Sequence, residues 1–226
     1  MHITPDQIVL WQRGFLHINA TIAYTWAVMA LLTVGSWMVT RHLAGPAQPR
    51  SRWQNAFEVS IEAIRGQIRE ICGPGGEKHL PFIGTLFVFI AASNLLDILP
   101  GWHSPTGSLS TTAALAICVG VAVPVFGIES QGVIEYFRSY VRPAFIMLPF
   151  HLLGETSRNL ALAVRLFGNI MSGSMIVGVL LAIAPLFFPV LMQVLGLLTG
   201  MIQAYIFAIL ATVYIAAAIH RDEQGT

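Results

Sequence analysis

Hydrophobic residues along this chain form long runs that are separated by short polar segments. A helix needs about 20 mostly apolar residues to cross a bilayer, and five runs are close to that length or longer. Pro185 and Pro189 divide the last two runs, because proline cannot continue a helical hydrogen-bond ladder. We therefore predict one membrane domain over 1–226. It begins with an N-terminal segment over 1–17 and ends with a C-terminal tail over 220–226. The predicted membrane helices span 18–40, 82–99, 111–128, 144–184 and 186–219.

The segment 51–72 has a different pattern, in which apolar and charged residues recur on separate faces at helical spacing. The two faces consist of Phe57, Ile61, Ile64 and Ile68, and of Glu58, Glu62, Arg65 and Arg69. This pattern predicts an amphipathic helix that lies on the membrane surface. The predicted fold class is all-α and integral to the membrane, with about five membrane helices and one surface helix. The last two helices are longer than a perpendicular crossing needs, so we expect them to be tilted.

Composition supports a membrane protein and excludes several other classes. Hydrophobic residues make up 55% of the chain, charged residues 10%, and the mean hydropathy is +0.70. A soluble domain has about 25% charged residues, so this chain has too few to cover a surface that faces water. The basic residues form no dense cluster, and no nucleic acid is expected as a partner. Cys72 and Cys118 lie far apart without metal-ligand spacing, which predicts free thiols and no disulfide.

Basic residues are concentrated on one side of the predicted bundle. That side carries Arg41, Arg50, Arg52, Arg65, Arg69, Lys78, Arg138, Arg142 and Arg221. The opposite loops near Trp102 and Pro185 have no Lys or Arg, and the segment 1–17 has only Arg13. The positive-inside rule therefore places the N-terminus outside and the C-terminus in the cytoplasm. The N-terminal residues lack a signal-peptide pattern, so the first run is expected to stay as an anchor.

The predicted helix over 144–184 carries a stripe of polar residues within its apolar sequence. At about 100° per residue, six polar side chains fall on one face of the helix. They are His151, Glu155, Arg158, Arg165, Asn169 and Ser172. Charged residues inside a membrane usually face a bundle interior or an aqueous cavity. The stripe therefore predicts a water-accessible path that runs from the cytoplasmic end to the middle of the membrane.

The two arginines of this stripe have different local surroundings. Arg158 follows Glu155 by three residues, so an ion pair on the same helix is available. Its role is either structural, near the interface, or part of a transport path. Arg165 has no acid three or four residues away, and arginine keeps its proton in essentially any environment. A functional role is therefore favoured for Arg165, with a partner from another polypeptide or from transported ions.

The last run carries a sparser polar line, formed by Thr199, Gln203 and Tyr214. If the last two helices pair antiparallel, Gln203 can hydrogen-bond toward Arg165; the alternative is an ordinary polar contact between helices. His151 and Glu155, four residues apart, are only a weak signal for a metal site. The chain has no HExxH or GxSxG motif and no pair of intramembrane aspartates. We therefore expect no catalytic chemistry in this chain, no metal and no cofactor.

Two stretches of the last two helices, LAVRLFGNIMSG over 162–173 and LTGMIQAYIFAILATVYIAAA over 198–218, closely resemble a known family. They are similar to the paired signatures of subunit a of F-type ATP synthases. The segments PFIGTLFVFIAASNLLDILPG, SPTGSLSTTAALAI and ESQGVIEYFRSYVRP resemble the same family upstream. The resemblance extends from about residue 53 to the end of the chain, in the order and spacing of the family.

The resemblance implies a role for each matching residue. Arg165 matches the arginine that faces the carboxylate on the rotating ring of c subunits, Asn169 the asparagine beside it, and Gln203 the glutamine of the last helix. The last two helices then form a hairpin against the c-ring, and two offset half-channels carry H+ or Na+. The other partners implied are the peripheral stalk of subunit b and the lipid bilayer, in the inner (plasma) membrane of a bacterium.

Several positions suit the lining of these half-channels. They are His151, Glu155, Arg158, Ser172, Ser174, Ser108, Asp97 and Tyr214. The chain departs from the family where Ser174, Gly196 and Ser108 stand at positions that are often acidic or histidine in other members. Such departures are compatible with the divergent branch called N-ATPases, several of which are thought to move sodium, with Asp97 as the acid in place of the missing ones.

A second hypothesis is a self-contained secondary ion transporter or channel that uses Arg165 and Glu155 as substrate ligands. Such a transporter is expected to have internal symmetry and helices that break at mid-membrane. No internal repeat is visible in the sequence, and the resemblance therefore favours the subunit of a rotary complex.

Overall fold

The structure is a computed structural model that describes residues 9–13, 16–41, 52–73, 75–99, 102, 104–141, 148–183 and 188–219. Within these ranges the chain forms seven α-helices. They are α1 (Ala20–Arg41), α2 (Arg52–Cys72), α3 (Leu80–Leu96), α4 (Leu109–Gln131), α5 (Val133–Val141), α6 (Leu148–Ile183) and α7 (Phe188–Ile219). Short 3-10 helices, Gly76–His79 and Pro105–Gly107, precede α3 and α4.

Five of the described helices are long and apolar enough to cross a membrane. These are α1, α3, α4, α6 and α7, in which the most apolar stretch of 18 residues has a mean hydropathy from 1.3 to 2.1. The predicted fold class, an all-α integral membrane protein with five membrane helices, is confirmed. Pro189 occupies the first turn of α7, where a proline is tolerated because the first helical N–H groups have no partner within the helix. Pro185 and the tail over 220–226 lie outside the described residues.

The last two helices are much longer than a bilayer requires. With 36 and 32 residues, α6 and α7 extend over about 54 and about 48 Å at about 1.5 Å per residue. The hydrocarbon core of a bilayer is about 30 Å thick. Such helices are accommodated in a membrane by tilting or by extending into the interfacial region.

The core of the bundle is built around α7, which packs against α2, α3, α4 and α6. Its buried face consists largely of small residues, with Phe207 and Ile215 as the large side chains at 0% exposure. Small side chains allow helix backbones to approach closely in a membrane. The buried residues of α3 that belong to the same cluster are Ile83, Leu86 and Ile90. One continuous apolar core therefore joins α7 to its neighbours.

The helix α2 has the predicted amphipathic character. Ile64, Ile68 and Cys72 are buried and belong to the core cluster around α7, whereas Glu62 and Arg69 are exposed. The Arg69 side chain forms an ion pair with Glu77 in the 3-10 helix that follows. The side chain of Phe57 lies outside the described residues. One face of α2 therefore packs on the bundle while the other carries charge.

Two elements differ from the sequence-based expectation. An antiparallel pair of short strands, β1 (Val9–Arg13) and β2 (Leu16–Asn19), precedes α1. The polar stretch after the third run contains α5, whose Tyr136 is 3% exposed. Gly127 of α4 makes room for this ring, because a Cβ at Gly127 would lie 2.6 Å from Cε2 of Tyr136. The packing of one buried aromatic residue thus stabilises a helix that the local polarity did not predict.

Candidate functional site

Arg165 lies at the middle of α6 and is exposed at the surface of the bundle. The residue that follows, Leu166, is 0% exposed, and Leu162 one turn earlier is 1% exposed. The backbone of α6 is therefore held against the bundle while the guanidinium points away from it. No ion pair of Arg165 occurs among the residues that the structure describes. A permanent cation without an acidic partner among the described residues is thus exposed on an apolar helix.

Two side-chain amides among the predicted site residues have nitrogen atoms that are buried and lack a hydrogen-bond partner among the described residues. They are Nδ2 of Asn169, one turn after Arg165 on α6, and Nε2 of Gln203 on α7. Gln203 as a whole is 7% exposed. A buried donor that makes no hydrogen bond costs about 1–3 kcal/mol. These two donors therefore favour an acceptor such as water or a carboxylate at this place.

The antiparallel hairpin of α6 and α7 does not join Arg165 directly to Gln203. In the described part of the chain no hydrogen bond connects these two side chains, and Nε2 of Gln203 makes none at all. The reason is geometric, since Gln203 belongs to the buried face of α7 whereas Arg165 is exposed on α6. The hydrogen bond considered from the sequence is therefore absent from the isolated chain.

A cavity of about 160 Å³ lies between α4, α6 and α7. Its lining residues are Val123, Phe150, His151, Gly154, Glu155, Arg158, Asn159, Tyr214, Ala217 and Ala218. A cavity of this volume has room for several water molecules. Four residues predicted for a half-channel lining meet in this cavity, namely His151, Glu155, Arg158 and Tyr214.

Within this α6–α7 cavity, the guanidinium of Arg158 on α6 contacts the aromatic ring of Tyr214 on α7. Cζ of Arg158 lies 5.8 Å from the centroid of the Tyr214 ring, within the range of a cation–π interaction. In the described ranges, no group of three or more His, Cys, Asp or Glu side chains is arranged to hold a metal ion. His151 and Glu155 contribute polar groups to the lining of this cavity.

A second polar group of residues lies where α3 ends and α4 begins. This hydroxyl–amide cluster consists of Asn94, Ser104, Thr106, Ser108 and Thr112, all buried. Oγ1 of Thr106 donates to Oδ1 of Asn94 at 3.1 Å, so the hydroxyl of Ser104, 2.6 Å from Oγ1 of Thr106, donates to Thr106. Nδ2 of Asn94 in turn donates to the main-chain carbonyl of Gly200 on α7 at 2.7 Å. A chain of neutral hydrogen bonds therefore leads to the turn of α7 that precedes Gln203.

The remaining predicted lining residues are distributed differently. Ser108 is buried in the cluster, and its Oγ lies 2.6 Å from Oγ of Ser110. Asp97 is exposed at the edge of the cluster, where Oδ1 accepts a hydrogen bond from the Ser104 N–H at 3.0 Å. Ser172 and Ser174 are exposed on α6 and donate to main-chain carbonyls of their own helix. The predicted residues thus separate into the cavity, the cluster and the surface of α6.

Sequence reasoning missed Asn94, Ser104 and Thr106 as candidate site residues. Asn94 is the only amide side chain in the apolar run over 82–99, and hydroxyl residues are dense in the segment 104–112. Both signals are visible in the sequence, but neither shows that these segments meet. The contact partner, Gly200, is 106 positions away along the chain.

The two cysteines lie away from these polar groups and are free, as predicted. Cys72 ends α2 and is buried, and burial raises the pKa of its thiol because the charged thiolate is disfavoured in an apolar environment. Cys118 is exposed on α4. Neither cysteine lines the α6–α7 cavity or belongs to the hydroxyl–amide cluster.

Comparison with known proteins identifies the family. The family model described as ATP synthase A chain matches residues 22–216. The chain is 61% identical over 225 residues to ATP synthase subunit a 2 of Acaryochloris marina. This alignment covers 100% of this chain and 96% of the relative. It is 58% identical to ATP synthase subunit a 1 of Chlorobaculum parvum, with 100% of each chain covered. It is also 58% identical to ATP synthase subunit a of Albidiferax ferrireducens, over 96% of this chain and 94% of the relative.

The matched region contains Arg165, Asn169, Gln203 and the hydroxyl–amide cluster. It also contains all lining residues of the α6–α7 cavity except Ala217 and Ala218. The five apolar helices and these relatives agree on a multi-pass membrane protein. The chain therefore belongs to the ATP synthase A chain family.

Proposed function

We propose that this chain is the stator subunit a of a rotary F-type ATP synthase and that it guides H+ or Na+ to and from the carboxylates of the c-ring. Arg165 carries this proposal. It is a permanent cation at the middle of an apolar helix, it points out of the bundle, and it has no ion pair among the described residues. A cation in that position is stabilised when a carboxylate of a neighbouring subunit comes to face it.

The two polar regions supply the two half-channels in this proposal. The α6–α7 cavity lies at the C-terminal end of α7, since Ala217 and Ala218 line it. With the C-terminus in the cytoplasm, this cavity opens toward the cytoplasm and the hydroxyl–amide cluster lies toward the outside. With five crossings and a cytoplasmic C-terminus, the N-terminus lies on the outer side in this proposal. Arg165 separates the two regions along α6.

The chemistry follows from the charge of Arg165. A guanidinium beside a carboxylate lowers the pKa of that carboxylate and competes with a bound cation. A loaded ring carboxylate that reaches Arg165 therefore releases its ion, and the empty carboxylate pairs with the arginine until rotation removes it. Because arginine keeps its own proton, Arg165 cannot pass protons directly from one half-channel to the other.

Asn169 and Gln203 complete this gate. Their buried amide nitrogens lack acceptors among the described residues, and a carboxylate oxygen of the ring, or the water that accompanies it, supplies one. Hydrogen bonds to the charged form of a carboxylate favour that form. The two amides therefore assist Arg165 in stabilising the empty carboxylate.

The partners of the chain in this proposal are the c-ring on the Arg165 face, the peripheral stalk of subunit b and the lipid of a bacterial inner membrane. The test is ATP-driven ion uptake into inverted vesicles from cells with and without this chain. Uptake that requires the chain supports the proposal, and uptake that is unchanged without it refutes the proposal. Sodium dependence with resistance to a protonophore identifies Na+, whereas loss of uptake with the protonophore identifies H+.

The alternative function, a self-contained secondary transporter, is distinguished by the purified chain in liposomes. The rotary proposal expects no ion transport from the chain alone, because the carboxylate that carries the ion belongs to another subunit. Transport by the chain alone, driven by an ion gradient, favours the secondary transporter.

A further inference from the structure

We infer that Asn94 is a positioning residue, which holds the helix of Gln203 and the helix of Arg165 in register through the hydroxyl–amide cluster. The inference rests on the proposed function, because the alignment of these two helices matters for ion exchange at the ring. Asn94 lies on α3 and is 3% exposed, so it does not reach the ring itself.

The first half of this link joins α3 to α7. Nδ2 of Asn94 donates to the carbonyl oxygen of Gly200 at 2.7 Å. Gly200 lies one turn before Gln203 on the same buried face of α7. The absence of a side chain at Gly200 permits the contact, because a Cβ there would lie 3.1 Å from Nδ2 and 3.2 Å from Cβ and Cγ of Asn94. A glycine and a buried amide thus fix the distance between α3 and α7 beside Gln203.

The second half of the link joins the same asparagine to α6. Oδ1 of Asn94 accepts the hydroxyl of Thr106 in the 3-10 helix Pro105–Gly107. The next residue, Gly107, packs against α6, because a Cβ at Gly107 would lie 3.3 Å from Cγ2 of Ile170. Ile170 is adjacent to Asn169 in the sequence. One amide therefore connects the turn before Gln203 to the turn that contains Asn169.

Only an amide satisfies both halves of this link. The nitrogen of Asn94 donates and its oxygen accepts, whereas an aspartate side chain, when ionised, has no donor for the carbonyl of Gly200. Leucine has a similar size but leaves the Gly200 carbonyl and the Thr106 hydroxyl without this partner. A buried polar group that loses its partner destabilises the packed arrangement, so the helices are expected to shift until the groups find water or each other.

The test compares Asn94→Ala with Ser93→Ala in the complete complex. Ser93 is a matched control, because it is equally buried and its hydroxyl donates only to Phe89 O of its own helix. The readout is the number of ions moved per ATP hydrolysed, normalised to assembled complex. We expect Asn94→Ala to lower coupled transport by at least roughly five- to tenfold, the effect of losing even one of its two buried hydrogen bonds. Ser93→Ala is expected to stay within about twofold of wild type.

A double-mutant cycle separates positioning from a general loss of stability. Gly200→Ala alone places a methyl group against Asn94 and is expected to reduce coupling. The double variant Asn94→Ala/Gly200→Ala should couple no worse than Asn94→Ala alone, because alanine at position 94 leaves room for the new methyl group. Losses that multiply as if the two sites were independent would overturn the inference.

Helix register is measured directly by the distance between spin labels at Val164→Cys and Ile202→Cys, both exposed positions, with Cys72 and Cys118 replaced by alanine. Asn94→Ala should shift or broaden this distance, and Ser93→Ala should not. If Asn94→Ala leaves both the distance and the coupling unchanged while wild type pumps ions, the inference fails and the proposed function stands. If wild-type complex shows no transport that depends on this chain, the proposed function fails first.

Discussion

The guanidinium of Arg158 lies over the ring of Tyr214, with Cζ 5.8 Å from the ring centroid. This contact joins α6 to α7 inside the cavity, whereas Arg165, two turns further along α6, faces away from the bundle. Two arginines of one helix therefore have different surroundings, and they are expected to respond differently to substitution. Arg158 lines the cavity, and Arg165 belongs to the exposed surface that the proposed function assigns to the c-ring.

Replacement of Tyr214 by phenylalanine should preserve ATP-driven ion transport, because the ring that faces Arg158 remains. Tyr214→Leu removes the ring, and the lost cation–π contact is worth about 0.5–1 kcal/mol at an exposed site. We expect Tyr214→Leu to reduce transport by about two- to fivefold, measured in vesicles at equal amounts of assembled complex. Equal activity of the leucine and phenylalanine variants would show that the contact has no role in the path.

Asn169→Ala and Gln203→Ala should each reduce coupled transport less than loss of Arg165 does. Their amide nitrogens are buried and have no partner in the part of the chain that the structure describes. A water molecule can occupy the space that alanine leaves and supply part of the hydrogen bonding. Initial rates of ATP-driven uptake measure the effect. Complete loss of transport in either variant would mean that an amide, rather than the arginine, performs the essential step.

Gly120→Ala should destabilise the protein, because a Cβ at Gly120 would overlap the side-chain amide of Asn159 on α6. Overpacking at a tight contact costs about 1–3 kcal/mol. The thermal unfolding midpoint of the purified complex should fall, and Asn159→Ala in the same chain should restore it. Gly84→Ala is the control, because a Cβ at Gly84 meets nothing within 4 Å. A midpoint that does not fall in Gly120→Ala would refute the close packing of α4 on α6.

The Cys72 thiol should react slowly with a maleimide in native membranes near pH 8, since burial raises its pKa and keeps the unreactive neutral form. The folded state then holds this proton more tightly than the unfolded state. The raised pKa therefore adds to the free energy of unfolding at pH values below the ordinary thiol pKa, and this contribution is lost as the pH rises above it. A Cys118→Ser background isolates the signal, and denaturation in detergent should restore fast labelling. Fast labelling of the native protein at neutral pH would contradict the burial of Cys72.

Much of the fold was predictable because membrane helices are specified by local composition. Runs of apolar residues are enough to predict the membrane helices α1, α3, α4, α6 and α7. The helical spacing of charged and apolar residues is enough to predict α2. The helix α5 was missed because Tyr136 is buried by a contact with Gly127 that its own polar segment does not encode. Local patterns predict elements well but do not predict which surfaces meet.

The same distinction applies to the candidate site. The cavity residues His151, Glu155 and Arg158 share one helix, so spacing alone was enough to group them. The bond from Asn94 to Gly200 depends on helices that are distant in sequence, and a lone asparagine in an apolar run does not reveal its partner. Tertiary packing therefore decided which polar residues lie together.

The role of Arg165 is tested most directly by ATP-driven ion uptake into inverted vesicles that contain Arg165→Ala complex. Arg158→Ala is the matched control, since it removes the same side chain from the same helix. We predict no coupled uptake with Arg165→Ala, normal assembly, and substantial uptake with Arg158→Ala. Coupled uptake at the wild-type rate in the assembled Arg165→Ala complex would contradict the account.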